Sequence, residues 1–491
     1  MFHLIRSFLV LFIVFKFSIA QECSSQAVSF DATNTSFNIL SDPNDLASKN
    51  CKYTFTVPKY FVPSISFIGI HLNGVNKITT TQYSDFGGSK SFDISEDLLL
   101  NLAPVNFTIE LNLPQKTAGV TFQITITVKD STPAVTGQTF TVAQDVGTLL
   151  DWGSIQGNSS VIQTFDNQNP QANSYSINLA LFTEGVLVYN LLSNFFIYDG
   201  GVYKGHLLDV LVAQNMFQSC TGSQFAIVNS NYGSIGIFTI SISQVKDWSA
   251  SQIIIVPSVY VNNTSTYTAT NGLTVFYDIA NPLLNTVGTT YRNISFRGDG
   301  EVTIYAGCVT GEEEDKKIAT ISPSNSVNYE DILIYGTCKT YVLTRGVLQW
   351  STVQYQTGNY RHRIGRKGVI MSNTYPYRST QNVRFANHLI QAPKDDFKEN
   401  IIVTYEVVHI GANVKLNIDQ DIKANQDVNK TLSSSDTGTT FTSVSTYQQY
   451  ITYSIPSGSE GFLVRYTVTS SGNISTFFGA IFLCCAFLLS L

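Results

Sequence analysis

Charge is what this sequence has least of. Of 491 residues, 13% are Asp, Glu, Lys or Arg, against about 25% in ordinary soluble domains. The balance is slightly acidic, with Lys+Arg 29, Asp+Glu 35 and a net charge of −6. The basic footprint of a nucleic-acid binder is therefore missing. Disorder is disfavoured too, because 12% aromatic residues within 43% hydrophobic ones supply ample core material. No Cys-x-x-Cys pair occurs, which argues against zinc ribbons and thioredoxin-like redox sites. A Gly-x-Ser-x-Gly elbow and a His-Glu-x-x-His zinc motif are also absent. No Gly-rich phosphate loop precedes a helix. Beyond His3, the histidines His71, His206, His362, His388 and His409 are scattered singly. The chain reads as a non-enzyme without a cofactor, although residues distant in sequence can still meet in space. Helical periodicity is scarce.

What is present is alternation of period two. Tyr53-Thr54-Phe55-Thr56-Val57, Phe122-Gln123-Ile124-Thr125-Ile126-Thr127-Val128 and Val464-Arg465-Tyr466-Thr467-Val468 each place β-branched or aromatic residues on one face. Such runs predict half-buried strands. Turn pairs punctuate them at Asn73-Gly74, Gly87-Gly88, Asp199-Gly200, Asn271-Gly272 and Asp299-Gly300. The fold class expected is all-β, built of tandem antiparallel sandwiches. Runs at 120–128, 235–243 and 462–468 read as closing strands. They divide the chain into modules at 21–130, 134–245, 250–347 and 361–470, with the third boundary, around 348–360, the least distinct.

Both chain ends are apolar. Residues 1–20 carry Arg6, an apolar run from Phe8 to Phe15 and small residues before Gln21, the pattern of a secretory signal peptide. The alternative is a retained anchor, for which the run is short. Residues 473–491 end the chain in an uncharged tail preceded by Ser470-Ser471-Gly472. That pattern resembles a GPI-attachment signal, with Ser470, Ser471 or Gly472 accepting the lipid. A short membrane helix and a plain secreted tail are the alternatives. The expected location is the outer face of the plasma membrane, or free secretion.

An oxidising route gives the cysteines a structural reading. Cys484 and Cys485 lie in the tail. Of the rest, Cys23 with Cys51 and Cys308 with Cys338 are the local pairs, which leaves Cys220 as a buried thiol or an intermolecular link. Asn-x-Ser/Thr sequons occur at Asn34, Asn106, Asn158, Asn262, Asn263, Asn293, Asn429 and Asn473. Behind a signal peptide these are glycan acceptors on the surface. Asn262 and Asn263 overlap, so one of the two is expected to be used.

Three short motifs resemble one family. Cys23 is followed by Asn50-Cys51-Lys52-Tyr53-Thr54-Phe55-Thr56-Val57-Pro58. Phe196-Ile197-Tyr198-Asp199-Gly200-Gly201 is followed by Gly205-His206-Leu207-Leu208. Gly368-Val369-Ile370-Met371-Ser372-Asn373-Thr374-Tyr375-Pro376 is answered by Gly458-Ser459-Glu460-Gly461-Phe462. Together they resemble CUB domains, and the whole chain resembles nematode CUB-like secreted or membrane-tethered proteins. The resemblance implies jelly-roll sandwiches and extracellular recognition of a protein or glycan, such as a microbial surface, in innate defence. An adhesion or structural surface role is the alternative, and a hydrolase a remoter one.

Many CUB domains hold calcium, which needs several carboxylates. Here the matching acids are limited to Asp199 and Glu184 in the second module and Asp299 and Glu301 in the third. No metal ligands are assigned. The one dense basic run, Arg361-His362-Arg363-Ile364-Gly365-Arg366-Lys367, reads as a patch of Arg361, Arg363, Arg366 and Lys367 for an anionic glycan or lipid headgroup. A protease-sensitive or simply solvated loop is the alternative. Glu312-Glu313-Glu314-Asp315-Lys316-Lys317 is expected to be an exposed loop.

Overall fold

A computed structural model describes residues 26–470, apart from loop segments of which 114–121, 152–159, 166–174, 213–223, 230–237, 355–362 and 392–400 are the longest. Residues 1–20, Cys23, Asn158, Cys220, Arg361, Ser471, Gly472 and Asn473 lie outside the described residues.

Among the described residues module 1 has nine strands: β1 (Gln26–Ser29), β2 (Ser36–Leu40), β3 (Lys49–Thr56), β4 (Phe61–Ile68), β5 (Lys77–Tyr83), β6 (Ser89–Ile94), β7 (Leu98–Asn101), β8 (Phe107–Leu113) and β9 (Gln123–Asp130). They form two sheets, ordered β1-β3-β8-β5-β6 and β2-β9-β4-β7. Alternation builds the sandwich: in β5 every second residue is buried, as a strand with one face on a core requires. Phe37 of one sheet meets Phe55 of the other at 5.6 Å between ring centroids. The neighbouring rings of Phe55 and Phe107 stack at 4.7 Å.

Module 3 repeats this topology strand for strand. Module 2 first supplies β10 (Gly137–Val142), β11 (Thr148–Asp151), β12 (Ser160–Phe165), β13 (Tyr175–Leu181), β14 (Phe195–Asp199), β15 (Val202–His206), β16 (Gln224–Asn229) and β17 (Phe238–Gln244). Module 3 then runs through β18 (Gln252–Ser258), β19 (Asn263–Ala269), β20 (Thr274–Ala280), β21 (Thr289–Arg297), β22 (Val302–Ala306), β23 (Lys317–Ile321), β24 (Ile332–Ile334), β25 (Cys338–Leu343) and β26 (Gly346–Gln354). Its sheets are β18-β20-β25-β22-β23 and β19-β26-β21-β24, so it is a full nine-stranded sandwich. Because β26 runs to Gln354, the module extends beyond residue 347, into the stretch that read as its indistinct boundary.

Module 2 keeps the same order, β10-β12-β16-β14-β15 and β11-β17-β13, and no strand stands between β15 and β16 among the described residues. A short helix, α2 (Leu207–Val212), follows β15, and α1 (Val186–Leu192) precedes β14. The run Leu207, Leu208, Val210 is fully buried, a pattern that breaks strand alternation. Asp209 Oδ2 accepts from the His206 backbone N–H at 2.8 Å, half of a capping box that favours a helical turn over a strand.

In modules 1 to 3 the opening strand runs parallel to the third: β1 with β3, β10 with β12, β18 with β20. The sheets are therefore not wholly antiparallel. A parallel pair needs a crossover, and here the second strand, lying in the opposite sheet, provides it.

Module 4 comprises β27 (Lys367–Met371), β28 (Val383–Gln391), β29 (Ile401–Ile410), β30 (Lys415–Asp421), β31 (Val428–Leu432), β32 (Thr440–Val444), β33 (Gln448–Ile455) and β34 (Phe462–Ser470). Its sheets, β27-β34-β29-β32 and β28-β33-β30-β31, match the others, with no opening strand among the described residues.

The chain divides into two compact units. One holds module 1 and most of module 2; the other holds modules 3 and 4 with the short segments Ala143–Leu149 and Ala180–Phe182. Within the second unit, Val369, Met371, Tyr375 and Leu463 of module 4 share a core with Ile332, Leu333, Ile334 and Tyr335 of module 3. Module 3 thus covers the β27 side of the outer face of the β27-β34-β29-β32 sheet, while Glu406, Thr440, Thr442 and Thr469 on the same face stay exposed. The inner face of that sheet packs Ile370, Tyr405, Val407, Val464 and Tyr466 into module 4's own core.

Candidate functional site

The described part of the basic run, 363–367, lies at the seam between modules 3 and 4. There it faces the loop around the 3-10 turn Ser326–Tyr329. Arg363 donates from its guanidinium to the Val327 carbonyl. Arg366 donates through Nη2 to the Asp331 carbonyl at 2.8 Å, and the Lys367 ammonium stands 6.0 Å from the centre of the Tyr329 ring. Arg366 is only 3% exposed, so it is withdrawn from any surface patch. Arg363 remains exposed and Lys367 half-buried. A planar, multiply donating guanidinium suits this clamp on backbone carbonyls.

The mixed-charge stretch lies between β22 and β23 with Glu312, Glu314 and Asp315 exposed, while Glu314–Lys316 forms a 3-10 turn in the same seam. Arg465 of β34 lies 3.8 Å from Glu314 and 2.8 Å from Glu406. The Tyr375 hydroxyl donates to the Asp315 carbonyl at 2.5 Å, and Lys316 is buried. Nearby, His409 Nε2 stands 3.3 Å from Glu460. That contact, helped by Arg378 and Lys316, holds the Glu460 carboxyl below its usual range.

Cys308 and Cys338 form a disulfide with Cα atoms 5.4 Å apart. Cys51 is also disulfide-bonded, and its expected partner Cys23 is outside the described residues. Asn34, Asn106, Asn262, Asn263 and Asn293 are all exposed. Asn429 lies on β31, and Ser470 is the last residue of β34.

Of the acidic residues weighed for calcium, the side chains of Asp299 and Glu301 are described. Asp299 pairs with Arg345 at 2.5 Å. Glu301 is exposed, Asp199 ends β14, and Glu184 lies outside the described residues. No group of three His, Cys, Asp or Glu side chains able to hold a metal occurs among the described residues. No helix among them is long and apolar enough to cross a membrane.

Sequence reasoning missed two buried polar clusters. In module 3, Asp278 accepts from Ser258 and, at 2.5 Å, from the Tyr341 hydroxyl, which meets the Tyr291 hydroxyl at 2.7 Å. Lys339 is the register partner of Asp278. Burial lowers the pKa of its ammonium, and the Asp278 charge partly offsets that. Burial, then Asp278, pushes the Tyr291 and Tyr341 hydroxyls well up. In the first unit, Gln82 donates to Asp209 at 2.6 Å, and His206 lies 4.0 Å from the same carboxylate. Burial pulls the His206 imidazole down to about 3. Period-two alternation hides such residues, because it marks a face without saying what the opposite sheet brings to it.

No protein-family model matches the chain, and no curated protein does. Among solved structures it is similar to the CUB1-EGF-CUB2 domain of human MASP-1/3, at 9% identity, covering 43% of this chain and 99% of that one with a TM-score of 0.17. For the CUB1-EGF-CUB2 domains of rat MASP-1 the values are 9%, 44%, 99% and 0.16. The full extracellular region of zebrafish Gpr126/Adgrg6 matches at 10% identity over 69% of this chain and 53% of that one, with a TM-score of 0.19.

Proposed function

We propose that this is an extracellular, non-catalytic recognition or adhesion protein, with its sandwiches serving as a rigid scaffold for ligand-binding surfaces. The observation that carries the reading is the exposure of the described sequon asparagines Asn34, Asn106, Asn262, Asn263 and Asn293. A chain passing through the secretory route can carry glycans at such positions without disturbing a core. The disulfide-bonded Cys51, Cys308 and Cys338 fit the same oxidising route. The partner is an extracellular protein or glycan. The lipid tether and the role in innate defence against microbial surfaces are the finer parts of the reading, carried by the C-terminal pattern and the CUB-like resemblance.

The test is binding of the full chain, expressed in a secretory host, to bacterial cells, a glycan panel and surface-protein extract, with and without calcium. Saturable binding to any of them supports recognition. Retention inside the cell without glycans, or no binding to any probe, overturns it. Loss of binding on chelation would assign calcium a role that the described carboxylates do not provide.

A further inference from the structure

Two turns meet beside the last residues of β34. One spans 363–366 and is closed by the Arg366 N–H on the Arg363 carbonyl at 3.0 Å. Gly365, its third residue, has φ 85°, the positive angle that a type II turn needs there. Ile364 is the other corner of that turn. The second is the 3-10 turn Ser326–Tyr329, with Val327 at its second position. The Arg363 guanidinium joins the two by donating to the Val327 carbonyl. Gly365 N–H donates to the Val468 carbonyl at 2.8 Å, and Val468 N–H to the Arg366 carbonyl at 2.8 Å. The turns are thereby fixed to β34 two residues before its end at Ser470.

Three features separate this end of module 4 from an ordinary solvated one. Among the described residues of modules 3 and 4, the exposed large hydrophobic side chains are Val327, at 61%, and Ile364, at 48%. Both stand on these touching turns, where Gly, Asn, Asp or Ser would be usual. The second feature is charge. Among the described residues Arg363 and Lys367 have no carboxylate partner, and Lys367 has only the Tyr329 ring. The acids that follow the 3-10 turn are engaged. Asp331 pairs with Arg292 at 2.5 Å, and Glu330 accepts the N–H groups of Asn293 at 2.7 Å and Ile294 at 3.4 Å. Arg465, whose charge reaches Tyr329 from β34, is paired with Glu406 and Glu314. The third feature is the chain that follows. After 471–476 come residues 477–491, fifteen in a row without a charge. From Ser470 to Phe477 an extended chain spans about 25 Å at most. A tail held in a bilayer therefore keeps the two turns near its surface. A lipid on Ser470, Ser471 or Gly472 shortens the protein part of that tether further.

We propose that Val327, Ile364 and Arg363 dock this end of module 4 onto a phospholipid bilayer. The inference rests on the lipid-tether part of the reading above and adds a second contact with the same membrane. The two aliphatic side chains enter the interfacial layer, where binding grows with buried apolar area. One of the five guanidinium N–H donors of Arg363 is taken by Val327, and the others are free to meet lipid phosphate. Lys367 adds attraction to anionic headgroups. The tether makes this contact intramolecular in effect, so a small patch suffices to orient the protein.

The experiment incorporates the full chain into vesicles of phosphatidylcholine and phosphatidylserine that carry a photoactivatable acyl-chain group. Lipid cross-links are mapped by mass spectrometry, and retention on the vesicles through a high-salt wash reads the tether separately. Cross-links are expected within 326–329 and 363–367. The Val327→Asp/Ile364→Asp double variant is expected to lower them about fivefold or more, because a carboxylate resists burial in the interface, with retention unchanged. Val75→Asp, at an aliphatic residue of module 1 that is 50% exposed, is expected to cross-link as wild type. Ile364→Ser decides the matter if the double variant does not fold. Salt-resistant retention without cross-links at the two turns overturns the proposal and leaves the tether standing. Loss of retention with the cross-links kept retires the tether and supports the contact. Equal cross-linking by all variants overturns the proposal. So do cross-links that appear only in Asn293→Gln, since a glycan beside Glu330 would then hold the natural chain off the lipid. A lipid-free dimer that Val327→Asp/Ile364→Asp converts to monomer also overturns it, because the patch would then serve self-association.

Discussion

Ser372 and Gly461, 89 positions apart in sequence, are in contact: a Cβ placed on Gly461 would lie 1.7 Å from Ser372 Oγ. The same hydroxyl accepts the backbone N–H groups of Tyr375 and Phe462, each at 3.2 Å. Ser372 N–H donates to the Phe462 carbonyl at 3.1 Å. The opening and closing motifs of module 4 are thus two halves of one joint.

That joint predicts a non-additive pair. Gly461→Ala is expected to destabilise by about 2–4 kcal/mol through overpacking. Ser372→Ala should cost about 1–3 kcal/mol by orphaning two buried N–H groups. Gly461→Ala is expected to cost clearly less in a Ser372→Gly background, where the colliding atoms are gone. Denaturant unfolding of the four variants measures the coupling, and simple additivity would refute the contact.

The Asp278–Lys339 pair predicts a rescue. Asp278→Leu leaves a buried ammonium without its nearby counter-charge and is expected to cost about 3–5 kcal/mol. Adding Lys339→Met should recover most of that, since apolar replacements of buried pairs are often neutral. Thermal unfolding of the single and double variants decides it, and a double variant as unstable as Asp278→Leu would argue against the pairing.

His206 predicts acid sensitivity. Its folded pKa, about 3, lies below the ordinary value near 6.5. Between those values the unfolded chain binds the proton and the folded chain does not. Stability therefore falls as pH drops through that window, and this group's share is on the order of 4 kcal/mol or less. Unfolding midpoints at pH 7, 6, 5 and 4 should slope downward, and less steeply in His206→Asn. An equal slope in both proteins would assign the effect to other groups.

The common core of modules 3 and 4 predicts cooperative unfolding. Met371 is 1% exposed, so Met371→Lys should weaken both modules together. Hydrogen exchange should show protection falling in β24 as well as β27. Loss confined to β27 would contradict a shared core.

Glycan occupancy is checked by mass. Asn34→Gln, Asn106→Gln and Asn293→Gln should each remove one enzymatically cleavable glycan, with stability changed by about 0.5 kcal/mol or less at these surface sites. Removing Asn262 and Asn263 together should remove one glycan in total. An unchanged mass would show that the site is not used.

Much of the fold was legible as alternation, because a half-exposed strand must place every second side chain on a core. The closing strands read at 120–128, 235–243 and 462–468 correspond to β9, β17 and β34. The local pair Cys308 and Cys338 does form a disulfide. The candidate patch was legible only as composition. A run of basic residues does not reveal that Arg366 turns inward to the Asp331 carbonyl while Arg363 stays exposed. Nor does an acidic run reveal that Glu314 meets Arg465, 151 positions away.

By itself the sequence determined the β class and the closing strands, since these follow from local periodicity and turn residues. Tertiary structure alone decided the parallel opening strands, the helix that follows β15 and the seam in which Arg363 and Arg366 meet backbone carbonyls. Each of those depends on which strands become neighbours, and neighbours in a sandwich are set by long-range register, not by adjacent residues.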